Sequence, residues 1–201
     1  MPESAQTTPD AGTPVRDPRL IELVLNRAYT RSETPFTLSS GGTSHDYVDL
    51  RRAVSRGDDL RLAAEVVIAA LGAAGIEFDA IGGMTMGADQ VSHAVALLSG
   101  CGWYSVRKGE KTHGSRRRIE GIALDAGVDV VVFEDTVSTG RSLLEALEVV
   151  EASGANVLAV CTLLDRGDAL SPILAARSVR YLALSSYHDL GIDPIVPATV
   201  D

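Results

Sequence analysis

Apolar and polar positions change period several times along the chain, and each change marks an element. Between Pro18 and Tyr29, Leu20, Leu23, Val24 and Arg27 recur at helical spacing and predict a first helix. Phe36–Ser40 and Asp46–Leu50 flank Gly41-Gly42, which predicts two strands around a glycine turn. A long helix then runs to about Ala74, with Asp58 or Asp59 as its expected cap and Gly75 as its stop. Beyond it the pattern alternates. Phe78–Gly82 reads as a strand, Ala88–Leu98 as a helix and Trp103–Arg107 as a strand. Val128–Phe133 is a further strand, Arg141–Ala152 a helix before Gly154, and Asn156–Leu164 a strand. Asp168–Arg177 reads as a helix and Val179–Leu184 as the last strand.

Val128–Phe133 is β-branched and nearly continuous in its apolar character, so it is expected to be buried on both faces, at the centre of a parallel sheet. Strands alternating with helices imply βαβ units and a doubly wound α/β fold. Ligands of such sheets sit beyond the carboxyl ends of the strands, so function is sought in the loops there.

Composition narrows the class. With 201 residues, 45% hydrophobic and 22% charged, the chain suits one globular α/β unit rather than a disordered polymer. Residues 1–17 carry Pro2, Pro9 and Pro14 among Ser, Thr and Gly, without an apolar core, and read as a disordered tail before a single domain at 18–201. The most apolar stretch, Leu60–Ile76, is interrupted by Arg61 and Glu65 and is amphipathic rather than membrane-spanning. Lys and Arg number 18 against 27 Asp and Glu, a net charge of −9 that disfavours nucleic acid and anionic membranes as partners. Cys101 and Cys161 match no disulfide or zinc spacing, which fits a reducing, cytoplasmic setting.

Three strand-end segments carry candidate chemistry. In Glu134-Asp135-Thr136-Val137-Ser138-Thr139-Gly140-Arg141-Ser142, two carboxylates are followed by hydroxyl residues and a glycine at a helix entrance. Unpaired N–H groups and the helix dipole hold a phosphate there, while the carboxylates suit sugar hydroxyls or a metal ion. An acidic strand end followed by a Ser/Thr-rich cap reads equally from these residues. The second segment, Arg107–Arg118, holds six basic residues and one acid, with Gly109 and Gly114 and no apolar anchor. Either a solvated loop or a mobile cationic lid over a polyanion follows. It has no aromatic residue on which a base could stack. The third, Gly82-Gly83-Met84-Thr85-Met86-Gly87-Ala88-Asp89, joins a strand to a helix and is either a tight turn or a close backbone approach to a ligand. It matches neither GxGxxG nor GxxxxGK[ST].

Together these segments resemble the type I phosphoribosyltransferases. Val131–Gly140 is similar to that superfamily's phosphoribosyl-pyrophosphate (PRPP) motif. Four further pieces resemble the orotate phosphoribosyltransferases. These are Phe36–Gly41 with Tyr47–Arg51 (the hairpin), Arg107-Lys108 with Lys111 and His113 (the lid), Gly82–Asp89 (the pyrophosphate loop) and Asp165-Arg166. Ser39 stands where many of that family have lysine, and Arg141 and residues 185–201 are atypical. The resemblance implies a doubly wound, mostly parallel sheet with a small N-terminal hood and a flexible catalytic loop. It implies an enzyme joining PRPP to orotate, releasing pyrophosphate and forming orotidine 5′-monophosphate, a step of UMP and pyrimidine biosynthesis.

By the same resemblance, Thr136–Ser142 bind PRPP, with Ser138–Ser142 around the 5-phosphate and Glu134 and Asp135 on the ribose hydroxyls. Thr85, Met86 and Gly87 form the pyrophosphate loop. Arg107, Lys108, Lys111 and His113 stabilise the departing pyrophosphate, with Lys111, His113, Glu134 and Asp135 catalytic. Ser138 and Arg166 recognise orotate. Mg²⁺ is expected as cofactor, held mainly by substrate and water rather than by protein ligands. A homodimer is expected, with lid residues reaching the neighbouring site. Two rivals stay open: a phosphoribosyltransferase for another base, and a PRPP-sensing regulator, which would lose lid cations or carry a DNA-binding element.

Overall fold

A computed structural model describes residues 16–37, 42–109 and 118–195. Asp17 caps the first helix, α1 (Pro18–Leu23), by accepting from the Arg19 N–H at 2.9 Å, and Pro18 at the first position suits a helix start. A π-helical turn over Val24–Ala28 completes the expected helix. Arg16 and Asp17, in the expected tail, are engaged: Arg16 pairs with Asp189 at 2.8 Å. The rest of that tail lies outside the described residues.

The hood is an antiparallel pair, β1 (Tyr29–Thr37) and β2 (Thr43–Val48). Strand β1 begins seven residues before the expected Phe36, because its first half, Tyr29–Glu33, is polar and carries no apolar alternation. Leu50, read as strand, instead opens the short helix α2 (Leu50–Ala53), which Asp49 caps through the Arg52 N–H. The long helix α3 (Gly57–Ala73) starts after Arg56, so Asp58 and Asp59 lie in its first turn instead of capping it. There they still favour the positive end of the helix dipole.

The core is a six-stranded sheet in the order β5-β4-β3-β6-β7-β8. Its strands are β3 (Ala80–Met84), β4 (Gly102–Val106), β5 (Ile119–Gly121), β6 (Asp129–Val137), β7 (Asn156–Asp165) and β8 (Arg180–Ala183). All pairs are parallel except β4 with β5. Alternate residues of β6 serve two cores. Val131 and Phe133 pack with α1 and α3, and with α4 (Asp89–Ser99). Val130 and Val132 pack with α5 (Arg141–Ala152) and α6 (Leu170–Ala176). Burial on both faces makes β6 the spine of the doubly wound sheet, as its composition predicts. Each fully buried Val or Phe contributes roughly 1.5–3 kcal/mol relative to exposure.

Two details differ from the sequence reading in ways that matter for the site. Strand β6 does not end at Phe133: its parallel pairing with β7 continues through Glu134–Thr162 and Val137–Asp165. The carboxylates therefore belong to the strand, not to the loop after it. Gly82 and Gly83 serve packing rather than ligand access, since a Cβ on either would run into the Tyr104 or Phe133 backbone carbonyl.

Candidate active site

The carboxyl ends of β3, β4 and β6 open into a cavity of about 520 Å³, which the end of β2 and the start of α2 also line. Lining it are Tyr47–Arg51, Met84–Gly87, Lys108, Glu134–Thr136 and Ser142. Parallel strands deliver three sequence-distant segments to one place because all their carboxyl ends share one edge of the sheet.

Glu134 is 7% exposed, and its Oε2 has no hydrogen-bond partner. Burial, reinforced by the adjacent Asp135 carboxylate, pushes its carboxyl up to about 8. Asp135 is pushed up by burial to about 6, against the pull of the Thr136 N–H and the Arg51 charge. The Thr136 N–H donates to Asp135 Oδ1 at 2.6 Å, which fixes that carboxylate. Both carboxyls thus hold their protons more tightly than free side chains do, Glu134 more so than Asp135. Adjacent hydroxyls of a sugar, each both donor and acceptor, match such a pair.

Gly87, in the expected pyrophosphate loop, sits directly against these carboxylates. A Cβ on Gly87 would strike Glu134 Oε1 and lie 2.9 Å from Asp135 Oδ1, so a larger residue there would have to displace the two carboxylates. The Thr85–Met86 peptide is cis, and Met86 is 62% exposed at the cavity. Ser105 donates to Asp89 Oδ1 at 2.7 Å and anchors the start of α4 just behind the loop.

The remaining expected residues divide. Lys108 and Ser142 line the cavity. Gly140 takes φ +77° at the entrance to α5, so the chain turns from the strand into the helix at Ser138–Gly140. Val137 is buried at the end of β6, and its carbonyl accepts from the Arg166 N–H at 2.7 Å. Thr139 and Arg141 face away, onto a shallow hollow shared with Leu144, Glu145 and Glu148 of α5. Arg107 lies outside the cavity lining and pairs with Glu120 at 3.6 Å. Arg166 is 2% exposed; its two terminal nitrogens reach the Asp46 carbonyl at 3.4 Å, and its Nε has no partner. It lies against the hood rather than on the cavity wall. Lys111 and His113, and Ser39 of the hairpin, lie outside the described residues.

The chain is 40% identical over 180 residues to the orotate phosphoribosyltransferase of Streptomyces coelicolor, a match covering 87% of this chain and 96% of the relative. It is 38% identical over 176 residues to that of Corynebacterium glutamicum, covering 87% and 93%. The chain belongs to the orotate phosphoribosyltransferase family. Solved members superpose on it. The Mycobacterium tuberculosis orotate phosphoribosyltransferase in complex with PRPP has a TM-score of 0.71 and 33% identity, covering 87% of this chain and 98% of that one. The enzyme from Aeropyrum pernix gives 0.74 and 28%, covering 86% and 98%. An adenine phosphoribosyltransferase from Leishmania donovani, at 16% identity and a TM-score of 0.66, shares the fold alone. No family model matches the chain.

Within this member of the orotate phosphoribosyltransferase family, the sequence reading missed Asp49 and Arg51 as cavity residues. Tyr47–Arg51 entered it only as part of a hairpin pattern. The available signal was an acid and a base bracketing the buried Leu50 just after a strand.

Proposed function

We propose that the protein transfers the 5-phosphoribosyl group from PRPP to orotate, giving orotidine 5′-monophosphate and pyrophosphate. The observation that carries this reading is the buried Glu134 beside the half-buried Asp135, with the Gly87 backbone close against both, in a chain of the orotate phosphoribosyltransferase family. Transfer from PRPP develops positive charge on the ribosyl ring, so catalysis is positioning plus electrostatics. Asp135, fixed by the Thr136 N–H, and Glu134 beside it meet the ribose hydroxyls. Thr85–Gly87 and Lys108 receive the pyrophosphate, Ser138–Ser142 hold the 5-phosphate, and Arg166 supports the orotate carboxylate or carbonyls through its planar fork. Lys111 and His113 belong to this proposal as the lid groups that meet the leaving pyrophosphate.

Mg²⁺ fits the site's chemistry. The unpartnered Glu134 Oε2 and the Asp135 carboxylate are hard oxygen donors. Among the described residues no group of three or more His, Cys, Asp or Glu side chains could hold a metal, and in this proposal PRPP and water would supply the remaining oxygens of a bound ion. When bound, it supplies charge neutralisation on the pyrophosphate oxygens. The proposal includes a cytoplasmic homodimer with shared lids. Mixing Lys111→Ala and Asp135→Asn protomers restores partial activity under this arrangement, and verified mixed dimers without recovery contradict it.

The activity is tested by following PRPP consumption with orotate, uracil, hypoxanthine and adenine side by side. Orotate alone is expected to be consumed, with stoichiometric pyrophosphate. Turnover of another base in its place identifies a paralogue, and PRPP binding without turnover identifies a sensor.

A further inference from the structure

Arg51 stands on the wall of the catalytic cavity with no role in the proposed reaction. It is the second residue of α2, and it lines the same space as Lys108, Thr85–Gly87 and Asp135. Among the described residues, Lys108 and Arg51 are the cations on that wall. The Arg51 side chain is 52% exposed, and its partner among the described residues is Asp49, Nε to Oδ1 at 3.7 Å. That distance is too long for a hydrogen bond, and Asp49 is itself committed to capping α2 through the Arg52 N–H at 3.3 Å. The guanidinium therefore keeps its donors for something else. It also lies close enough to Asp135 for its charge to favour that carboxylate's ionised form.

We propose that Arg51 is a further substrate-binding residue, gripping the pyrophosphate group of PRPP from the hood side, opposite the Thr85–Gly87 loop. The proposal rests on the phosphoribosyl-transfer reading above and deepens it. The substrates bring three anionic groups. The 5-phosphate has the Ser138–Ser142 turn at the entrance to α5, and the orotate carboxylate has Arg166, which lies off the cavity wall against Asp46. The pyrophosphate is the most highly charged of the three. Among the described residues it has only a neutral loop and Lys108 unless Arg51 joins them. An arginine fork suits it, since paired N–H groups match two phosphate oxygens at once, and charge-assisted bonds of this kind are the strong ones. The position is also consistent with Asp135. A guanidinium between the ribose-binding carboxylate and the leaving group balances the acid before PRPP arrives and the pyrophosphate afterwards.

The test is steady-state kinetics of Arg51→Ala and Arg51→Lys with saturating Mg²⁺, using pyrophosphate and ribose 5-phosphate as separate competitive inhibitors. In Arg51→Ala the KM for PRPP and the inhibition constant for pyrophosphate are expected to rise together, by about ten-fold or more, the scale for losing a charged hydrogen bond. The KM for orotate and the inhibition constant for ribose 5-phosphate should stay within about two-fold, and Arg51→Lys should fall in between. Because Arg51 is half exposed and buries little, both variants should melt close to the parent; if the alanine variant unfolds, the lysine variant decides. Unchanged pyrophosphate inhibition overturns the proposal. So does a shift confined to orotate or to ribose 5-phosphate. A parent enzyme that used another base would defeat the orotate reading while leaving this test intact, since pyrophosphate is released in either case.

Discussion

The sheet and the hood meet at one cavity but reach it by opposite physical means. Strand β6 is sealed on both faces by Val130–Phe133, and its rigidity carries Glu134 and Asp135 into a site where burial displaces their proton affinities. The hood is a two-stranded pair with mostly exposed residues, joined to the body by the packing of Tyr29 and Val48 on the core and by one polar contact, and tied within itself at Asp46. Asp46 accepts from Tyr29 and Arg31, each at 2.8 Å, and its carbonyl faces the buried Arg166 guanidinium. A two-stranded hairpin alone is marginal in water, so this junction holds it in place. In the proposed reaction, the electrostatics of the reaction centre fall on the sealed strand, and the base contact falls on Arg166, at the end of β7 where the sheet meets the hood.

The largest effect expected from this contrast is at the rigid element. Asp135→Asn keeps shape but removes the charge expected nearest the ribose, and turnover should fall about 10²-fold or more while the fold survives. Near-normal rates would reduce the pair to a strand feature. At the junction, Arg166→Ala should raise the orotate KM by about ten-fold or more, with the PRPP KM little changed. Loss of its contact with Asp46 should also speed amide exchange across β2, 43–48, without doing so in β6. Equal movement of both Michaelis constants would make Arg166 structural.

Smaller effects sharpen the sheet side. Gly87→Ala forces a methyl against the two carboxylates and should lower kcat/KM for PRPP by roughly ten-fold, with melting nearly unchanged. The smallest effect concerns pH. The Glu134 and Asp135 carboxyls bind protons more tightly in the folded than in the unfolded state, so their contribution is fullest below the unfolded carboxylate range. It is lost as pH rises through about 6 and about 8. The unliganded enzyme should therefore melt a few degrees higher at pH 6 than at pH 8.5, by roughly the shift that ~1 kcal/mol produces. Glu134→Gln should flatten that slope, and an unchanged slope would remove Glu134 as its source.

The same contrast explains what could be read from the sequence. Helix α5 was legible to the residue, Arg141–Ala152, because an apolar stripe stands between a left-handed Gly140 and the Gly154 turn. Strand β6 was legible as a core strand, but its polar end was not. Glu134 and Asp135 look like loop residues, and only pairing with β7 shows the strand passing through them. The three-residue β5 has no period to detect, and polar Tyr29–Glu33 hides half of β1. The acid pair and the pyrophosphate loop were visible as motifs. The inward placement of Arg51 and the outward placement of Thr139 and Arg141 depend on tertiary packing that no local pattern encodes.

The central claim is that PRPP lies across the ends of β3 and β6, and a structure of the protein with PRPP and Mg²⁺ bound tests it most directly. The account predicts ribose hydroxyls on Glu134 and Asp135, pyrophosphate between Thr85–Gly87 and Arg51, and the 5-phosphate at Ser138–Ser142. PRPP seated instead in the hollow beside Thr139 and Arg141, or clear of the two carboxylates, would contradict it.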